Sequence, residues 1–95
     1  MEKKGFDLQK KPKWFKGEVY DEGEVVMNRW SGEECELNGL ELSIYDMIMG
    51  AQEYINVRYG GDMLDPRTAD IQQDMAKGLS WFRTHNAKAY MILLD

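Results

Sequence analysis

The chain is poor in the residues that usually carry chemistry: one cysteine (Cys35), one histidine (His85) and two prolines (Pro12, Pro66). A single cysteine excludes an intrachain disulfide and points to a reducing compartment. One Cys and one His cannot assemble a zinc site. Asp62, Asp65 and Asp70 lack the alternating oxygen ligands, the central Gly and the closing Glu of a calcium loop. Neither a nucleophile elbow nor a glycine-rich phosphate loop is present. His85, at a helix end, reads as a partner of the C-terminal dipole. No metal, no cofactor and no catalytic residue is therefore expected. Long apolar runs are missing too: the longest, Tyr90 to Leu94, is far short of the roughly 20 residues that span a bilayer. The N-terminal lysines precede no apolar stretch, so no signal peptide is expected. These absences lead to a cytoplasmic, non-enzymatic protein with no membrane partner.

What is present is an uneven charge distribution. Lys3, Lys4, Lys10, Lys11, Lys13 and Lys16 against Glu2 and Asp7 leave residues 1–17 at +4. Glu18, Asp21, Glu22, Glu24, Glu33, Glu34, Glu36, Glu41 and Asp46 against Arg29 leave residues 18–46 at −8. The chain as a whole carries −5. Such an asymmetry serves solubility, folding back of the arm, or an anionic partner.

In chain order, residues 1–15 read as a flexible lysine-rich arm, interrupted by Pro12 and closed by Trp14 and Phe15, which pin it to the domain. Residues 16–95 read as one α+β domain. Glu24-Val25-Val26-Met27 is β-branched and short, and Arg29-Trp30-Ser31-Gly32 is a turn with Gly32 suited to positive φ. In the returning strand Glu33, Cys35 and Leu37 alternate with Glu34 and Glu36. The pattern predicts a short N-terminal antiparallel hairpin over about 24–37 with an acidic face toward water. Whether Trp30 anchors the hairpin or stands free is left open by the sequence.

A helix is predicted over about 39–59. Asn38 and Glu41 have capping-box spacing, Leu40, Ile44, Met47, Ile48, Ala51 and Ile55 form one stripe, and Gly60-Gly61 ends it. Asp65-Pro66 opens a second helix over about 66–84, with Ile71, Met75, Gly78, Leu79 and Phe82 inward. Gly78 suggests a close approach opposite Gly50 or Ala51. Asn86 is the expected cap of a short helix over about 87–94. The stretch Asp74–Asp95 is the densest apolar segment and should supply most of the core.

The motifs Lys16-Gly17-Glu18-Val19-Tyr20, Val25-Val26-Met27-Asn28 and Ile48-Met49-Gly50-Ala51 resemble a group of short uncharacterised proteins encoded by tailed bacteriophages, marine ones especially. The most specific part of the likeness is Lys77-Gly78-Leu79-Ser80-Trp81-Phe82 with Ala89-Tyr90-Met91 and Leu93-Leu94-Asp95. It covers about residues 16–95. Members carry Pro just after the helix cap where this chain has Gly39, a swap expected to leave the helix start intact. The resemblance implies a small accessory protein made in an infected bacterial cell, and implies no catalytic residue or cofactor.

The leading expectation is a non-enzymatic binding module that engages a host or phage protein. Its candidate contacts are Trp14, Phe15, Trp30, Glu22, Glu24, Glu34 and Glu36. A second reading is a structural or virion-associated protein that self-assembles. A third is nucleic-acid binding by the lysine arm with Trp14 and Phe15, or nucleic-acid mimicry by the acidic hairpin.

Overall fold

The computed structural model describes residues 10–94. Strands β1 (Glu24–Met27) and β2 (Glu34–Leu37) form an antiparallel hairpin. It packs on helix α1 (Gly39–Tyr59) and a C-terminal piece, while helix α2 (Ala69–His85) packs against α1. That piece is a short helix α3 (Ala87–Ala89) running into a π turn (Tyr90–Leu94). The architecture is the α+β arrangement expected. Pro66–Thr68, expected as the first turn of the second helix, is a separate 3₁₀ turn.

Local chemistry sets each boundary. Asn38 accepts the Glu41 N–H at 2.8 Å while the Glu41 carboxylate accepts the Asn38 N–H at 3.0 Å, a complete capping box. At the other end Gly60 takes φ 62°, and the Gly61 N–H donates to the Ile55 carbonyl at 3.1 Å. Asp65 accepts the Arg67 N–H at 2.9 Å and Asn86 accepts the Ala89 N–H at 3.1 Å. Both caps had been read from sequence.

The core gathers Leu37 from β2, Leu40, Leu42, Ile44 and Ile48 from α1, Trp81 and Phe82 from α2, and Ala89 and Leu93 from the C-terminal piece. Trp81 and Phe82 meet edge to face, with centroids 5.2 Å apart. Leu79 and Ile71, expected inside, are half-buried, because the inner face of α2 is turned toward Trp81.

Gly78 and Gly39 each mark a close approach between elements. A Cβ at Gly78 would lie 2.7 Å from Ile48 Cγ1, so α2 crosses α1 at Ile48. The expected partners were Gly50 and Ala51; Gly50 faces open space. A Cβ at Gly39 would lie 2.0 Å from the Tyr20 carbonyl oxygen. The segment before the hairpin runs directly over the start of α1, held there by Ser43 Oγ. That hydroxyl accepts the Tyr20 N–H at 2.8 Å and donates to the Gly39 carbonyl at 2.8 Å. A Pro at position 39, expected to leave the helix start intact, would bring a Cβ into the Tyr20 carbonyl in this packing.

One polar cluster joins the elements. Glu41 is only 5% exposed and accepts from Asn86 Nδ2 at 2.8 Å as well as from Asn38. The start of α1 and the α2–α3 junction thus share one carboxylate. Among the described residues no buried side-chain polar atom lacks a partner.

Candidate functional site

The tip of the hairpin is built around Asn28. Its N–H donates to the Glu33 carbonyl at 2.8 Å, and its carbonyl accepts the Gly32 N–H at 2.8 Å. The side-chain oxygen accepts from the N–H groups of Trp30 at 2.7 Å and Ser31 at 3.2 Å. The side-chain amide donates to the Ile92 carbonyl at 2.8 Å, fastening the tip to the π turn. Gly32 closes the turn at φ 79°. On this clamped loop Trp30 is 95% exposed. Asn28 fixes the backbone while the indole stands in solvent, which answers the question the sequence left open.

Beside Trp30 lies a cleft of about 470 Å³ between the tip, α1, α2 and the C-terminal piece. Ile48, Leu79, Leu93 and Leu94 contribute apolar surface, Met27, Met49 and Met75 add unbranched thioethers, and Gln52 and Asn56 bring amides. Burial pushes the Tyr45 phenol up, with Asp46 adding to the shift and Arg29 opposing it. Methionine-lined apolar surfaces adapt to different occupants. The cleft was not foreseen. Its one sequence signal was the count of seven methionines, three of which meet here although they lie far apart in the chain.

The hairpin register separates the acidic residues that had been grouped together. Glu24 pairs with Leu37, Val25 with Glu36, Val26 with Cys35 and Met27 with Glu34. Directly opposed residues share a face, so Val26, Cys35 and Leu37 turn inward and Glu24 stands on their side. Glu34 and Glu36 project outward beside Met27 and Val25, which are 53% and 57% exposed. The outer face is therefore mixed, acidic and apolar, in place of the uniformly acidic face expected. Glu22 is exposed in the segment leading to β1.

Phe15 corrects a further expectation. It is 5% exposed and belongs to the core, so it is not available as a contact. Trp14 is half-buried, edge-on to Phe15 at 6.2 Å, and the Lys11 ammonium lies 5.9 Å from the Phe15 ring centre. The Phe15 N–H donates to the Pro12 carbonyl at 3.1 Å. The packed unit thus includes Trp14 and Phe15, residues the arm had claimed, as the pinning role requires. The remainder of the expected arm, residues 1–9 with Lys3 and Lys4, lies outside the described residues.

His85 stacks on Trp81 at 4.7 Å, with Nδ1 3.0 Å from the Trp81 carbonyl, a structural role at the end of α2. Asp65 grips Arg67 through two side-chain hydrogen bonds of 2.7 and 3.1 Å. No group of three or more His, Cys, Asp or Glu among the described residues is placed to hold a metal ion. No helix among them is long and apolar enough to cross a membrane. Compared with protein-family models, curated proteins and solved structures, the chain matches none.

Proposed function

We propose that the protein is a non-enzymatic binding module whose anchor is Trp30. One observation carries the reading: a fully solvated indole on a loop whose backbone is fixed by five hydrogen bonds from a single residue, Asn28. Tryptophan is favoured at the centre of interfaces, where it supplies a large rigid surface at little entropic cost. A preordered loop lowers the cost of binding further. The adjoining methionine-lined cleft gives a partner a second place to insert apolar groups. The resemblance to phage-encoded proteins supports an accessory role in the cytoplasm of an infected bacterium, with a host or phage protein as partner.

The test is affinity capture from bacterial lysate with wild type and Trp30→Ala. Because Trp30 is 95% exposed, the variant should melt as wild type does. Removing an interface anchor costs about 2 kcal/mol or more, roughly thirtyfold in Kd. Recovery of the same proteins in equal amounts by both forms would remove Trp30 from the interface. The exposed Val25 and Met27 favour a second reading, self-assembly. Monomeric light scattering at high concentration would eliminate it.

A further inference from the structure

We infer that the outer edge of β1 accepts an extended, basic segment of a partner protein as a third strand. The phase of the ladder is set at the tip by the Asn28 N–H to Glu33 carbonyl bond. It puts Asn28 and Glu33 at a hydrogen-bonding position of the ladder, with the Glu33 N–H itself turned to Ser31 Oγ. Such pairs alternate along an antiparallel ladder, so Val26–Cys35 and Glu24–Leu37 exchange the remaining bonds. The N–H and C=O groups of Val25 and Met27 consequently point away from β2. No other described segment offers them a hydrogen bond. β2 is the sheltered strand, packed on α1, α3 and the π turn, whereas every β1 residue but Val26 is exposed.

Sheet edges in natural proteins are commonly blocked by Lys, Pro or a bulge. β1 has no Lys or Pro, and its register with β2 is unbroken over all four residues. The one device it carries is acidic: Glu24 on the inner side, with Glu22 just before it. Carboxylates at an edge repel an acidic strand and admit a basic one. A second copy of this chain would bring another acidic hairpin of the same kind, so charge disfavours pairing of β1 with itself. The neighbouring side chains specify the pattern of the incoming strand. Successive residues of a strand point to opposite faces. An alternating segment therefore places apolar side chains beside Val25 and Met27 on the outer face, and Lys or Arg beside Glu24 on the other. Main-chain bonds supply the affinity and the alternation supplies the selectivity.

This rests on the hairpin being the binding surface but not on Trp30, and the two are separable. The probes are a blocked hexapeptide alternating lysine and valine and its glutamate–valine counterpart, each titrated into the full chain while backbone amide shifts are followed. The lysine peptide should move the Val25 and Met27 amides and weaken as salt is raised. The glutamate peptide should bind at least roughly tenfold more weakly. Val25→Pro deletes an outward N–H without removing a bond to β2 and should cost the lysine peptide roughly tenfold. Glu24→Lys, which leaves the backbone untouched, should reverse the preference between the peptides even if Val25→Pro fails to fold. Trp30→Ala should bind the lysine peptide as wild type does, whatever it does in lysate. Equal binding of the two peptides to wild type, or an unchanged preference in Glu24→Lys, overturns the proposal. A wild-type dimer abolished by Glu24→Lys or Val25→Pro overturns it in favour of a second copy.

Discussion

Substituting Gly78 by Ala tests the helix crossing in a way that separates packing from helix propensity. An added Cβ would sit 2.7 Å from Ile48 Cγ1, 2.8 Å from Ile48 Cδ1 and 3.1 Å from Met47 Cε. The first two distances are too short to persist, so Ile48, itself fully enclosed, must move. Overpacking of this kind costs about 1–3 kcal/mol, while Ala in place of Gly inside a helix returns about 1 kcal/mol. The net expectation is a loss of about 0–2 kcal/mol, a melting point lower by up to roughly 10 °C for a domain of this size. The sharper result comes from the background. In Ile48→Ala, which alone costs about 2–5 kcal/mol, both short contacts are gone and Gly78→Ala should become stabilising by up to about 1 kcal/mol. Urea unfolding of the four forms measures the coupling, expected at about 1–3 kcal/mol. If Gly78→Ala has the same effect in both backgrounds, the two helices do not cross at Ile48.

Three further outcomes follow from particular contacts. Phe15→Ala should cost about 3–5 kcal/mol, much of the about 5–15 kcal/mol typical of a whole domain; a variant as stable as wild type in thermal melts would return Phe15 to the surface. Asn86→Ala removes both the cap at Ala89 and a donor to the buried Glu41, and should lower stability by about 2–4 kcal/mol in urea unfolding. The Asp65 carboxyl is held at about 2 against an ordinary 3.8, first by the Arg67 side chain and then by the Arg67 backbone N–H. A depressed carboxylate contributes stability above its unfolded value and loses it as pH falls from there through about 2. Carboxyl NMR should find that midpoint, and Arg67→Ala should raise it.

Most of the fold was legible because its signals are local. Asn38 with Glu41, the Gly60-Gly61 stop and the cap at Asn86 each act within one turn and sit where the spacing put them, while Asp65 with Pro66 opens a 3₁₀ turn just ahead of the helix expected there. What escaped depends on how elements meet. The site of helix crossing at Gly78 is set by relative tilt, which no stripe encodes. The side of the hairpin on which Glu24 falls follows from its pairing with Leu37, thirteen residues on. Phe15 lies in a polar, lysine-rich stretch; a pinning role is legible from its size, but its full burial in the core is visible only in the tertiary packing. Trp30 stands out in the sequence as a candidate contact, but its exposure follows from how the turn, held mainly by Asn28, sits against the rest of the fold. The cleft next to it draws on four separate stretches and had no local signature beyond its methionines.

The bond from Asn28 to the Ile92 carbonyl spans 64 residues, and that separation has a consequence in time. During synthesis the hairpin leaves the ribosome well before its support exists, at about 5–20 residues per second. A two-stranded ribbon alone is marginal in water, and closing so long a loop is among the slower steps available to a small chain. The ordered tip that presents Trp30 is therefore among the last features to mature. A nascent or C-terminally clipped chain would display the same tryptophan on a tip that keeps its local bonds but lacks its tether to the rest of the fold. If Trp30 is the anchor proposed above, competence to bind becomes a report that the C-terminal turn is in place.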